Sequence, residues 1–415
     1  KPRASQPALG SHSAHGCSSS FSLVLSATSS SLSVSSTGAM TTASTRLGTS
    51  ANGAAAPLSV GRGWAGLWQA SSVDRGGWTV AKRGNAALLM WPGVDEMLLT
   101  PQVRQALAEV VTLVDDAPID GMDAPAADLE SVEVLIGGWG AAALDAAALD
   151  RLPSLRLLAY AAGTVKGVVT DELWARGVVV SSAAAANAVP VAEFTFATIV
   201  MIAKDVFRVR DTYREVRGEQ PVMGTGPCGP LGTYGMKVGV FGASKIGRMV
   251  LERLRSLDVE VGLHDPFVEV DEAAALGATR MGLDEMCAWA DIVTVHAPEL
   301  PATRHLIDAE RLALMRDGAW LINTARGSIV DTAALEAECA SGRLSCFIDT
   351  PDPEPLPPTS PLWDLPNAVL TPHIAGSMGN EVARMGRLAV DEVERFMAGQ
   401  PLCHEVRAED LDLLA

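Results

Sequence analysis

From residue 86 onward, short aliphatic runs alternate with stretches of helical periodicity. The runs at 87–91, 132–136, 155–160 and 178–180 are apolar at nearly every position, the pattern of strands buried on both faces. Between the first two, residues 101–109 predict a helix with Thr100 as N-cap and Pro101 in the first helical position. A long helical stretch over 191–217 is suited to bridging two domains. After a Gly- and Pro-rich loop at 224–235, strands are predicted at 237–241, 260–264, 291–295, 320–323, 344–348 and 368–370. A last helix over 378–397 takes Ser377 as its cap and stops at Gly399 and Pro401. Strands alternating with helices imply parallel βαβ units, here in two α/β halves.

The 415 residues suffice for two domains with extra sequence, and 48% hydrophobic content gives each its own core. Residues 1–84 differ in kind. Ser, Ala, Gly and Thr dominate, and no acidic residue precedes Asp74. Such a segment buries too little apolar surface to offset its ordering entropy, so it is expected to be a disordered leader without a catalytic part. A transit peptide is the lesser alternative, because arginines are few.

The formal net charge of -17 argues against a basic surface for nucleic acid or anionic lipid. No apolar run approaches the roughly 18 residues of a membrane span, the longest being 196–203, so a soluble cytoplasmic protein is expected. Six scattered cysteines, without a C-x-x-C pair, fit reduced thiols better than a zinc site or a disulfide framework.

Candidate chemistry begins where the strand at 237 runs into Gly242, Ala243, Ser244, Lys245, Ile246 and Gly247, followed by a helix. In a dinucleotide fold the first glycine makes the tight turn, the middle one admits the pyrophosphate, and the last lets helix and strand pack closely. Ser244 holds the middle position, where its side chain crowds the phosphate and its hydroxyl can donate to it. Asp265 ends the next strand, where a carboxylate accepts bonds from the adenosine ribose and repels a ribose phosphate. NAD is thereby favoured over NADP. Three further segments stand at strand ends: His296, Ala297 and Pro298; Asn323 to Gly327, with Asp331 beyond as a helix cap; and Thr371 to Gly376. In open parallel sheets such loops converge on one crevice. His264 is expected to flank the adenosine pocket, whereas His305 and His404 carry no functional argument.

In their order, these motifs resemble the D-isomer-specific 2-hydroxyacid dehydrogenases over nearly all of residues 86–400. The resemblance implies two Rossmann-like parallel-sheet domains with a cleft between them. One is a flavodoxin-like substrate domain at 85–190 completed by 375–405, and the other an NAD-binding domain at 191–374. It implies a homodimer, NAD as cofactor and a small 2-keto or 2-hydroxy acid as substrate. Residue by residue, the catalytic arginine falls on Arg326, its acidic partner on Glu354 and the histidine on His373. The cofactor would meet Gly242, Ser244, Lys245, Ile246, Gly247, Asp265, His296, Ala297, Pro298, Thr303, Thr324, Ala325, Asp349 and Gly376. The substrate carboxylate would meet Gly163, Thr164 and Val165. Lys166 departs from the acidic residue frequent there in the family.

The residue types suit the chemistry. Hydride transfer to a ketone builds negative charge on oxygen, which an imidazolium at His373 neutralises by giving up a proton. A carboxylate at Glu354 fixes the ring's tautomer and favours its charged form. The guanidinium fork of Arg326 grips carboxylate and carbonyl. Two other readings stand beside this one: an NAD-sensing regulatory protein of the corepressor kind, and a formate-dehydrogenase-like enzyme. The glutamine that the latter branch has at the acidic position is Glu354 here.

Overall fold

Thr100 starts the first long helix as its sequence predicts: the side chain accepts from the Val103 amide at 3.5 Å, Pro101 occupies the first turn, and the helix runs Pro101–Val110. The computed structural model describes residues 84–121, 128–217 and 231–413. The leader expected at 1–84, apart from Gly84, lies outside the described residues, as does most of the 224–235 loop.

Five strands come first: β1 (Gly84–Leu89), β2 (Val111–Leu113), β3 (Val132–Gly137), β4 (Leu157–Tyr160) and β5 (Val179–Ser182). Seven follow: β6 (Lys237–Phe241), β7 (Glu260–His264), β8 (Thr279–Arg280), β9 (Ile292–Val295), β10 (Trp320–Asn323), β11 (Ser345–Ile348) and β12 (Ala368–Leu370). Near the end lies β13 (Glu405–Val406). They form two sheets, ordered β13-β5-β4-β3-β1-β2 and β12-β11-β10-β9-β6-β7-β8. All pairs are parallel except β13 with β5. The strand order reverses once in each sheet, between β1 and β3 and between β6 and β9. Crevices beyond strand ends form at such points.

Helices cover both sheets. Met385, Ala389, Val390 and Val393 of the late helix Val382–Met397 share one core with Ala86 and Leu88 of β1. The helix Ala184–Ala203 belongs to both sheets' cores, with Ala186 in the first and Ala192, Ile199 and Ile202 packed against Val238, Val240 and Val250 of the second.

The structure corrects several expectations. The bridge expected as one helix over 191–217 begins earlier, at Ala184, accommodates Pro190, and breaks after Ala203. Asp205 there adopts a left-handed backbone (φ 52), and a second helix, Val206–Val216, buries none of its residues. Ala184–Ala203 is also long and apolar enough, by length and composition, to cross a membrane, although it contains no unbroken apolar run of that length. Its polar residues are spread along it, and more than half of the helix is buried in the fold. Ser377 does not cap the last helix. A short 3-10 turn, Gly379–Glu381, comes first, and Glu381 accepts from the Met378 amide at 3.0 Å. The first strand stops at Leu89, short of the predicted Trp91, whose side chain is 58% exposed.

Candidate active site

His373 stands in a loop built around one buried carboxylate. Asp349, just past β11 and fully buried, accepts from the Thr371 hydroxyl at 2.6 Å and from the Ile374 and Ala375 amides at 2.8 and 2.9 Å. Its own carbonyl accepts from the His373 amide at 3.0 Å. This clamp holds His373 in the left-handed region (φ 55), which is uncommon for a non-glycine residue and persists only where its surroundings impose it. Asp349, expected at the cofactor, thus spends both oxygens on the histidine loop.

The imidazole of His373 meets Glu354: Nδ1 lies 2.8 Å from Oε1, with both side chains about half exposed (48% and 47%). Nε2 is left for a ligand. Arg326 follows β10, where Asn323 ties the turn by donating to the Arg326 carbonyl (2.8 Å) and accepting from the Ala325 amide (3.0 Å). The guanidinium donates to the Ala325 carbonyl at 2.7 Å and has no carboxylate partner among the described residues. Gly327 lets this turn pack on the loop that carries Glu354, since a β-carbon there would lie 2.2 Å from the Pro351 carbonyl oxygen. Asp331 caps the helix Thr332–Ala340, accepting from the Ala334 amide at 3.1 Å.

The Gly-rich turn lies at the β6/β9 reversal. Gly242 has φ 96, and a β-carbon on it would come within 2.6 Å of the Ala297 amide nitrogen. One on Gly247 would lie 2.0 Å from the Gly242 carbonyl oxygen. Only glycine fits either place. Ser244 caps the helix Lys245–Leu254, its hydroxyl accepting from the Gly247 amide at 3.3 Å. Lys245 and Ile246 open that helix, with Lys245 exposed. Asp265 accepts from the Ala243 amide (2.7 Å) and from the Phe267 amide (2.8 Å), so it braces the turn from the adjacent strand end. A helix N-terminus at a strand reversal, under a turn that only glycines can make, fits the pyrophosphate of a dinucleotide.

His296 and Ala297 form the floor of this turn. Burial lowers the His296 pKa to about 3, so the ring is neutral, with Nε2 3.0 Å from the Thr294 hydroxyl and Nδ1 unpartnered. Thr303 donates to the Pro298 carbonyl at 2.7 Å and accepts from the Leu300 amide at 2.9 Å, which closes its own loop. Thr324 is buried against Thr195, hydroxyl to hydroxyl at 2.8 Å. His264 bonds the Met281 carbonyl through Nδ1 at 3.1 Å.

On the first sheet, the Gly163 carbonyl accepts from the Ser182 hydroxyl at 2.5 Å and Thr164 is exposed. Val165 is 1% exposed with its side chain in the core, so only its backbone faces the loop. Asn187, which sequence reasoning passed over, joins this loop to the histidine loop. Its Oδ1 accepts from the Ser377 amide at 2.8 Å, and β-carbons at Gly376 and Gly163 would lie 3.2 and 3.7 Å from its amide group. An amide side chain in the first turn of a mostly apolar helix was the available signal.

Residues 196–375 match the family described as D-isomer specific 2-hydroxyacid dehydrogenase, NAD binding domain. The D-3-phosphoglycerate dehydrogenase of Mycobacterium tuberculosis H37Rv is 31% identical over 72% of this chain and 56% of its own length. The chain thus spans little more than half of that relative. The (S)-sulfolactate dehydrogenase of Chromohalobacter salexigens is 34% identical over 61% of this chain and 81% of its own. Among solved structures, the TT0316 protein of Thermus thermophilus is 28% identical with a TM-score of 0.61, covering 78% of this chain and all of that one. A D-isomer specific 2-hydroxyacid dehydrogenase of Xanthobacter autotrophicus Py2, in complex with NADPH and MES, is 26% identical with a TM-score of 0.60, over 80% of this chain and all of that one.

Proposed function

Because this chain belongs to the D-isomer specific 2-hydroxyacid dehydrogenases, we propose that it transfers a hydride between NAD(H) and the carbonyl carbon of a small 2-keto or 2-hydroxy acid. The observation that carries this reading is the His373–Glu354 pair at 2.8 Å beside the Arg326 turn, since keto-acid reduction needs a proton donor and an anion grip together. When bound, the reduced nicotinamide supplies the hydride. Gly242, Ser244, Lys245, Ile246 and Gly247 would hold the pyrophosphate of the dinucleotide, Asp265 would hold its adenosine ribose, and 296–298 would line it. His373 gives its Nε2 proton to the carbonyl oxygen as charge develops there, and Glu354 stabilises the imidazolium beforehand. Arg326 and the 163–165 backbone receive the substrate carboxylate. In this reading 85–190 with 375–405 forms the substrate domain and 191–374 the cofactor domain, in a cytoplasmic homodimer.

Oxidation of NADH with a panel of 2-keto acids tests the proposal. Turnover with at least one is expected. Tight NADH binding without turnover of any acid would replace the enzyme with an NAD sensor.

A further inference from the structure

The strand reversal of the second sheet is filled by the Gly-rich turn, whereas that of the first sheet, between β1 and β3, has no part in the site so far. The chain leaves β1 through Met90, Trp91, Pro92 and Gly93, and leaves β3 through Gly138, Trp139, Gly140 and three alanines. The two exits are tied together, the Trp91 amide donating to the Trp139 carbonyl at 2.9 Å and the Gly138 amide to the Leu89 carbonyl at 3.0 Å. Beside them, the Ala161 amide donates to the Gly137 carbonyl at 2.8 Å, so the segment leading to Gly163 adjoins the same strand ends.

Trp91 is 58% exposed, yet its indole is firmly backed. Gly140 has φ 90, and a β-carbon on it would fall 2.3 Å from the indole Cγ and Cδ1, so the ring lies directly on the glycine backbone. One face is supported and the rest is open to a ligand.

Neither exit carries a charged side chain. The nearest acid, Asp95, is buried, bound by the Gly93 amide at 3.2 Å and the Arg104 guanidinium at 3.0 Å, which also occupies that arginine. Lys166, beyond Thr164, is a lone exposed cation. A phosphate or sulfonate is recognised by convergent charged donors, and the forked arginine that would supply them is missing from these loops.

We propose that the crevice between β1 and β3 receives the side chain of the substrate, with the Trp91 indole on Gly140 as its wall, and that the preferred 2-keto acid carries an aromatic or branched apolar group. This rests on the dehydrogenase reading and deepens it. It also sets the chain apart from its phosphoglycerate and sulfolactate dehydrogenase relatives, whose named substrates carry a second anionic group.

The test compares kcat/KM of the full chain with NADH for phenylpyruvate, glyoxylate and 3-phosphohydroxypyruvate, in the parent and in Trp91→Ala and Gly140→Ala. Phenylpyruvate is expected to exceed phosphohydroxypyruvate by at least about tenfold. Either substitution is expected to lower the phenylpyruvate-to-glyoxylate ratio by roughly tenfold, the order of discrimination an apolar pocket provides. Glyoxylate has no side chain, so the ratio separates loss of the wall from loss of folded enzyme. A preference for the phosphorylated acid, or a ratio unmoved by Trp91→Ala while glyoxylate still turns over, overturns the substrate class and leaves the dehydrogenase reading standing. Absence of turnover with every acid overturns both.

Discussion

Nδ1 of His373 and Oε1 of Glu354 lie 2.8 Å apart although the glutamate precedes β12 and the histidine follows it. A carboxylate on one ring nitrogen leaves the other free to carry the proton that reduction consumes. Removing a general acid costs about 10² to 10⁴ in rate, so His373→Ala should lower kcat by that order while NADH still binds. Stopped-flow NADH oxidation beside fluorescence titration separates the two. Near-parental turnover would remove His373 from the mechanism.

Glu354→Gln should be milder. Loss of the carboxylate replaces a charged acceptor on Nδ1 by a neutral amide, so the ring is held less firmly and kcat should fall, by less than in His373→Ala. A parental kcat would leave Glu354 as a loop residue.

Asp349 offers a test of positioning rather than chemistry. Asp349→Ala would strand two amides and a hydroxyl that now bond to a fully buried carboxylate. At about 1 to 3 kcal/mol for each buried group left unpaired, a loss of about 3 kcal/mol or more is expected in urea unfolding, with kcat falling as His373 loses its place. Asp349→Asn keeps one acceptor and should lie between. Parental stability in Asp349→Ala would show that the loop holds itself.

Asp265 should make the protein prefer NAD to NADP. In Asp265→Ser with Phe267→Arg that preference should narrow and NAD affinity should also fall, because the carboxylate braces the Ala243 amide of the Gly-rich turn. Steady-state kinetics with both cofactors decides it. Equal efficiency with NADP in the parent would contradict the role given to this carboxylate.

His296 should appear in the acid limb of stability. Its pKa is depressed from 6.5 to about 3 by burial, so the unfolded chain binds a proton that the folded chain refuses. Its share of the stability is complete above pH 6.5 and is lost as pH falls toward 3, amounting to about 2 kcal/mol between pH 7 and 5. Urea unfolding at both values, in the parent and in His296→Gln, should show a shallower decline in the variant. Parallel declines would mean that the buried ring is protonated without cost.

Local signals were the legible ones. Thr100 and Pro101 announced a helix start, and the aliphatic runs at 237–241 and 320–323 coincide with strands, because caps and buried strands are written in adjacent residues. The helix break at Asp205 and the recruitment of Asn187 were not legible. The first depends on a single left-handed backbone and the second on a partner, Ser377, 190 positions away. Asp349 showed itself as polar at a strand end, but its commitment to 371–375 is a tertiary fact. Strands of two or three residues, such as β8 and β13, are too short to show any alternation.

The pairing of Val406 with Val180, and the packing of Met385 and Val390 beneath β1, have a consequence for synthesis. A ribosome delivers β1 to β5 first, yet the helix and strand that cover them emerge only after the whole second sheet has been made. During that interval the early strands have an open edge and a face that Val103, Leu107 and Val110 of the first long helix cover only in part, while the second sheet is a contiguous stretch free to fold at once. The nascent chain should therefore depend most on holdase chaperones, or on slow decoding, while residues 191–374 leave the exit tunnel. Ribosome-bound chains halted at successive lengths would show protease resistance arriving first in the second sheet and last in the first.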